Sequence, residues 1–189
     1  TCALPIYKLM ASAIYKKPVD QITKDERFIG KVCVLGLGYG MGPEKLMAIL
    51  KSGAMGPPIE ITANQCRIIV EIYRSKNRAI KELWREMDKL IAKMYSGVNG
   101  EFGPLQYGKG YLQLPGGLFL QYYGLHGDAV ERRGDLVMSE MSYLTRYGRT
   151  KLYGGLLTEN VVQALSRKII ADQMLQISKQ YRVVTMTHD

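Results

Sequence analysis

The stretch RFIGKVCVLGLGYGMG, residues 27–42, decides how this chain is read. A buried strand running into a glycine-rich phosphate loop would belong to a dinucleotide-binding enzyme. A glycine-bearing helix with cations on one face would belong elsewhere. The dinucleotide fingerprint needs glycines at i, i+2 and i+5, opening a helix after a strand. Here the glycines are Gly36, Gly38, Gly40 and Gly42, so the i+5 position is Met41 from Gly36 and Pro43 from Gly38. The spacing fails from both starts. Glu60 lies about 20 residues on, where a ribose-binding acid is expected, and is the only support for that reading.

The helical reading has a start signal. Thr23 followed by Glu26 is a capping box, in which each side chain satisfies the other's free backbone N–H. A strand has no use for it. On a helix beginning there, Arg27, Lys31, Leu35 and Tyr39 succeed one another every four residues. Each step turns about 40°, which places all four on one broad face. Two cations, an apolar residue and an aromatic suit a nucleoside triphosphate: cations to the phosphates, the middle residue to the sugar, the ring near a base. Each interior glycine costs roughly 1 kcal/mol relative to alanine, yet small residues let a base pair or another backbone approach closely. A buried helix packed through its glycines, with Arg27 and Lys31 merely solvated, fits the spacing equally well.

Working outward, YKLMASAIYKK reads as a short helix ending near Lys17, before a loop at Pro18. PEKLMAILKSG has proline at the first helical position and Gly53 as its stop. Thr62 and Gln65 form a second capping box. From about Ala63 to Tyr95, Ile69, Ile72, Tyr73, Ile80, Leu83, Trp84, Met87, Leu90, Ile91 and Met94 share one helical face, with a break expected at Ser75–Asn77. The Gly- and Tyr-rich region from Gly97 to Gly155 suggests two strands in GYLQLPGGLFLQYY around its Pro-Gly-Gly turn, and a solvated turn in GDAVERRGD. Thr158 is placed to cap a helix from Glu159 to about Gln180, with Val161, Val162, Leu165, Ile169 and Leu175 on one face. The closing YRVVTMTHD alternates and is β-branched, so it reads as a strand. The fold class expected is mixed α/β (α+β), mainly helical.

A chain of 189 residues with 47% hydrophobic and 23% charged residues can bury a core of its own. No apolar run approaches the length of a membrane span, and no signal pattern opens the chain. The formal charge of +9 favours a polyanionic partner. Cys2, Cys33 and Cys66 are odd in number and form no CxxC pair, and there are two histidines. Neither a disulfide scaffold nor a zinc site is indicated, and a reducing, cytoplasmic setting is expected. The opening TCALPI coincides with one translation of a common sequencing-adapter oligonucleotide, so residues 1–6 are set aside as non-native.

Arg27, Lys31, Tyr39 and Gly40, in the pattern R-x3-K-x7-Y-G, resemble the fingers-helix motif of family A DNA polymerases, the polymerase I type. YGGLLTENVVQAL (153–165) resembles the palm helix of that family's bacteriophage branch, and MTHD at the end resembles the strand of its last catalytic motif. The resemblance covers nearly all of residues 7–189, in the family's order. It implies a helical fingers region over 7–97 and a further fingers and palm segment over 98–189 with a small antiparallel sheet. The chain would be a fragment of a template-directed DNA polymerase, acting as a monomer in the bacterial host cytoplasm on primer–template DNA and deoxynucleoside triphosphates.

Residue by residue, the resemblance implies that Arg27 and Lys31 bind the triphosphate, Lys31 also protonating the leaving pyrophosphate. Leu35 would face the sugar. Tyr39 and Gly40 would lie against the template base and nascent pair, Gln163 against the primer–template minor groove, and His188 near the primer terminus. Asp189 would be one of two carboxylates holding two catalytic Mg²⁺ ions, in keeping with two-metal phosphoryl transfer. Leu35 departs from the Phe or Tyr of many members, and Tyr7 stands where many carry a phosphate-binding His. The Asp-x-Ser-x-x-Glu motif expected upstream and the acid expected after Asp189 are absent, so the fragment alone is expected to be inactive. An NAD-type oxidoreductase and a non-enzymatic nucleic-acid-binding module are the alternatives.

Overall fold

The computed structural model describes residues 5–132 and 135–185. These form a mainly helical α+β chain. Five helices come first: α1 (Ile6–Tyr15), α2 (Lys24–Leu37), α3 (Pro43–Ser52), α4 (Ala63–Lys76) and α5 (Arg78–Ser96). Seven strands follow: β1 (Gly100–Phe102), β2 (Leu105–Gly108), β3 (Tyr111–Gln113), β4 (Phe119–Gln121), β5 (His126–Arg132), β6 (Asp135–Thr145) and β7 (Gly148–Lys151). The long helix α6 (Gly154–Ser178) comes last. The glycine stretch is therefore helical as far as Leu37, and the strand–turn–helix context of the dinucleotide reading is not present. Among the described residues no helix is long and apolar enough to cross a membrane.

The chain divides into two compact units. One comprises the chain up to Lys89 together with Tyr153–Leu156; the other comprises Leu90–Leu152 and the chain from Leu157 onward. The first unit is built on local signals. Thr23 Oγ1 accepts from the Glu26 N–H at 3.2 Å while Glu26 accepts from the Thr23 N–H at 3.0 Å. Thr62 and Gln65 repeat the arrangement at the start of α4. Asn77 breaks the long amphipathic pattern, its side-chain amide donating to the Tyr73 carbonyl at 2.9 Å. The core gathers Met10, Ile29, Val32, Cys33, Leu37, Leu46, Leu50, Ile61, Cys66, Ile69, Val70 and Tyr73. α1 crosses α2 at Gly30, where a β-carbon would lie 2.1 Å from the Tyr7 carbonyl oxygen. Only glycine permits that approach.

In the second unit β1 to β4 form one antiparallel meander and β5 to β7 another. The Pro-Gly-Gly turn joins β3 and β4 as expected, with Leu112 opposite Leu120. Leu105, Tyr107, Leu112, Leu114, Tyr122, Met141 and Leu152 are buried.

Three expectations fail. GDAVERRGD is not a turn along its length: Asp128–Arg132 belong to β5 and Asp135 opens β6, with Arg132 opposite Asp135 and Val130 opposite Val137. A hairpin ladder is held by backbone bonds, and these override a polar composition. α6 starts at Gly154, so Thr158 is no cap but a buried residue inside the helix. The first-turn N–H of Gly154 donates to Asp88 Oδ1 at 2.6 Å, so a distant carboxylate supplies the cap a local side chain was expected to supply. Tyr181–Thr185 form no strand, and residues 186–189, the rest of the expected one, lie outside the described residues; β-branched propensity alone does not make a strand. Val162, Ile169 and Leu175 of the expected α6 face are exposed.

Candidate nucleotide and nucleic-acid interface

The capping box fixes where α2 begins and hence where its side chains point. Arg27, Lys31 and Leu35 follow along one face of the helix. Arg27 is exposed, Lys31 half-buried, and Leu35 is 40% exposed although it is apolar. Among the described residues neither cation forms an ion pair. Glu26 instead bonds Lys17, and its carboxyl is held below the usual range by the Lys17 ammonium and the Thr23 N–H. Tyr7, carried by α1, is brought to this face: the Arg27 guanidinium carbon stands 5.4 Å from the centre of its ring. A cation over an aromatic face is attracted by the ring quadrupole. The close crossing at Gly30 is what brings α1, and with it Tyr7, alongside Arg27.

Tyr39 lies past the last helical residue, Leu37, in a turn whose N–H groups at Tyr39 and Gly40 reach back to Gly36 and Leu37. The sequence spacing is kept, but the ring sits on the turn and not on the helix proper. The Trp84 indole N–H donates to the Gly38 carbonyl at 3.1 Å and ties this turn to α5. Gly40 has φ of 84°, which closes the turn.

Beside Gly40 opens a cavity of about 280 Å³, lined also by Arg74, Lys81, Trp84, Arg85, Asp88, Tyr153 and Gly155. Three cations face one carboxylate, so the cavity favours an anion. Burial pushes the Asp88 carboxyl above the usual range, and the Gly154 N–H draws it part of the way back. Asp88 is thus committed to the α6 N-terminus. A side chain at Gly154 would close that junction, because its β-carbon would fall 1.9 Å from the Trp84 carbonyl oxygen.

The structure therefore brings Tyr7, Arg27, Lys31, Leu35, Tyr39 and Gly40 into one unit. Gln163 belongs to the other unit, exposed on α6 with its amide donating to Glu159 at 3.1 Å. His188 and Asp189 lie outside the described residues. Among the described residues no cluster of three or more His, Cys, Asp or Glu side chains could hold a metal ion, so they do not by themselves fit a two-metal centre. Arg74, Lys81 and Arg85 were missed in sequence. Their signal is in the spacing, since Arg74, Arg78, Lys81 and Arg85 recur at steps of four, three and four across the Asn77 break, opposite the apolar face.

No family model matches the chain. It is similar to a DNA polymerase of Bacillus phage SP02, with 30% identity over 199 aligned residues that take in 97% of this chain and 29% of that protein. The chain thus spans less than a third of the length of the polymerase it matches. The similarity supports a relationship to a phage DNA polymerase.

Proposed function

We propose that this chain is the nucleotide-selecting part of a family A, phage-type DNA polymerase: the fingers over residues 7–97 and a fingers and palm segment over 98–189. The observation that carries the reading is the α2 face. Among the described residues Arg27 and Lys31 stand without a carboxylate partner, one turn apart, with Tyr7 beside Arg27 and Leu35 and Tyr39 further along. Unpaired cations in this order suit the tail of a nucleoside triphosphate. Similarity to a phage polymerase over nearly the whole chain supports the same reading.

In the parent protein the primer 3′ hydroxyl gives up its proton to solvent, its oxygen attacks the α-phosphorus, the bond to the bridging oxygen breaks, and pyrophosphate leaves. Arg27 and Lys31 offset the charge growing on that leaving group, and the Lys31 ammonium gives it a proton. Leu35 faces the sugar. Tyr39 and Gly40 bear on the template base, and the basic cavity beside Gly40 takes a template phosphate on Arg74, Lys81 or Arg85. Gln163 and His188 contact the primer–template, and Asp189 belongs to the Mg²⁺ site of the parent. This chain alone does not polymerise.

The test is equilibrium binding of a deoxynucleoside triphosphate and of labelled primer–template DNA, with Arg27→Ala and Lys31→Ala. Each substitution should weaken triphosphate binding about tenfold or more, as expected for a charge-assisted bond of roughly 1.5–3 kcal/mol. If Lys31→Ala lowers DNA affinity only as one lost charge and leaves nucleotide binding unchanged, the chain is a nucleic-acid-binding module. Primer extension by the purified chain would contradict the stated inactivity.

A further inference from the structure

The second unit holds a cleft of about 510 Å³ among Tyr95 at the end of α5, Lys109 between β2 and β3, Gln121 of β4, and Tyr123 just after it. Its frame is tied at every corner. The Gly110 N–H donates to the Met94 carbonyl at 3.2 Å, and the Gly110 carbonyl accepts from the Tyr122 N–H at 2.7 Å. The Tyr123 carbonyl accepts from the Leu144 N–H at 2.8 Å. Arg149 donates to the Gly124 carbonyl and to Ser142 Oγ, each at 3.1 Å. Next to Tyr123 in the chain, Tyr122 is buried, its hydroxyl accepting from the Asn160 amide at 3.1 Å and its ring edge-on to Tyr143. The backbone is built and held before anything enters.

The side chains on this frame contrast with it. Tyr123 is 66% and Tyr95 38% exposed, and among the described residues neither ring has a stacking or hydrogen-bonding partner. Lys109 is exposed, and among the described residues no carboxylate pairs with it. Fixed backbone beneath free rings, with a free cation and an amide beside them, is the equipment of a stacking platform. We infer that this cleft binds a single-stranded segment of nucleic acid, one base stacked on Tyr123, a flanking phosphate on Lys109, and Gln121 in reach of a base edge. The strand must be single, because a base paired and stacked in a duplex does not offer its face to a side chain. The basic balance of the chain and Arg149, bonded to the Gly124 carbonyl at the cleft, favour a polyanion over an apolar protein partner. The inference stands on residues other than those of the α2 face.

Fluorescence anisotropy with a labelled oligo(dT) of about 12 nucleotides, within the length such platforms cover, tests it on the whole chain, with a hairpin duplex as comparison. Tyr123→Ala should weaken oligo(dT) binding about tenfold and leave duplex binding unchanged, while Tyr123→Phe keeps wild-type affinity. Lys109→Ala should flatten the slope of log affinity against log salt by about 0.7. Wild-type oligo(dT) affinity in Tyr123→Ala would overturn the inference, and so would equal losses in the Ala and Phe variants, since stacking needs only the ring. Arg27→Ala and Lys31→Ala, measured alongside for triphosphate binding, report on the α2 face separately, so either reading can fall without the other.

Discussion

Replacing Gly30 by alanine sets two forces against each other, and the structure decides between them. Helix propensity alone favours the change by about 1 kcal/mol, since alanine is the better helix former. The new methyl, however, would sit 2.1 Å from the Tyr7 carbonyl oxygen, 3.1 Å from the Ala11 nitrogen and 3.2 Å from the Ala11 β-carbon. Two of these three atoms are backbone, so no side-chain rotation relieves the contact. Restoring an ordinary carbon–oxygen separation of about 3.3 Å moves α1 outward by roughly 1.2 Å. Overpacking of this kind costs about 1–3 kcal/mol. The retreat also loosens Met10 and Ala11, which are 6% and 0% exposed, and full exposure of a residue such as Met10 would cost about 1.5–3 kcal/mol. A net loss of about 2 kcal/mol is expected once the propensity gain is subtracted.

Urea unfolding followed by tryptophan fluorescence reads this directly. Trp84 is the only tryptophan and is bonded to Gly38 within the first unit. With a urea slope of about 2 kcal/mol per molar, the midpoint should fall by about 1 M. Gly36→Ala is the control. There the new methyl meets only the tip of Met41, at 2.4 Å from its Cε, and a flexible tip moves aside. That variant should match the wild type or exceed it by less than about 1 kcal/mol. A Gly30→Ala midpoint at or above wild type, with Gly36→Ala behaving as described, would refute the α1–α2 crossing and with it the placement of Tyr7 beside Arg27.

Three further outcomes are expected. Thr23→Ala removes the acceptor for the Glu26 N–H and should cost about 1 kcal/mol in the same urea experiment; no loss would mean that α2 does not start there. Asp88 has its carboxyl raised by burial, so the fold favours its protonated form, and stability is fully present below the unfolded-state value and lost as pH rises through the folded-state one. Asp88→Asn should therefore compare best with wild type near neutral pH and lose ground as pH falls toward about 4, and a difference independent of pH would contradict the burial. Cys33 is fully buried with its thiol pushed up to about 12, and burial also raises the fully buried Cys66; peptide mapping after iodoacetamide treatment should find both unlabelled until urea unfolds the chain.

What could be read in the sequence was what is decided within a few residues. The boxes at Thr23 and Thr62, the stop at Gly53 and the break at Asn77 each depend on neighbours one turn away, and all four are present. The start of α6 was missed because Asp88, whose carboxylate caps Gly154, is 66 residues away. The β5–β6 hairpin was missed because its ladder depends on backbone pairing, which composition does not encode. Arg74, Lys81 and Arg85 were in plain view, yet only the cavity beside Gly40 gives them a common target.

The glycine stretch shows how one helix can pack through a glycine and keep another face open. At about 100° per residue, Gly30 lies about 60° around the axis from Arg27 and about 140° from Leu35. α1 can therefore press its backbone against Gly30 and still leave Leu35 exposed at 40%. The same geometry puts Tyr7 within reach of Arg27, at 5.4 Å, and out of the way of the residues further along. Packing through a glycine thus does not compete with an open cationic face: it sets the flank of that face and fixes which end of it carries an aromatic neighbour. Moving the small residue to position 31 or 34 would swing α1 toward Leu35, so the position of Gly30, more than the number of glycines, is what keeps the Arg27–Lys31–Leu35 face open.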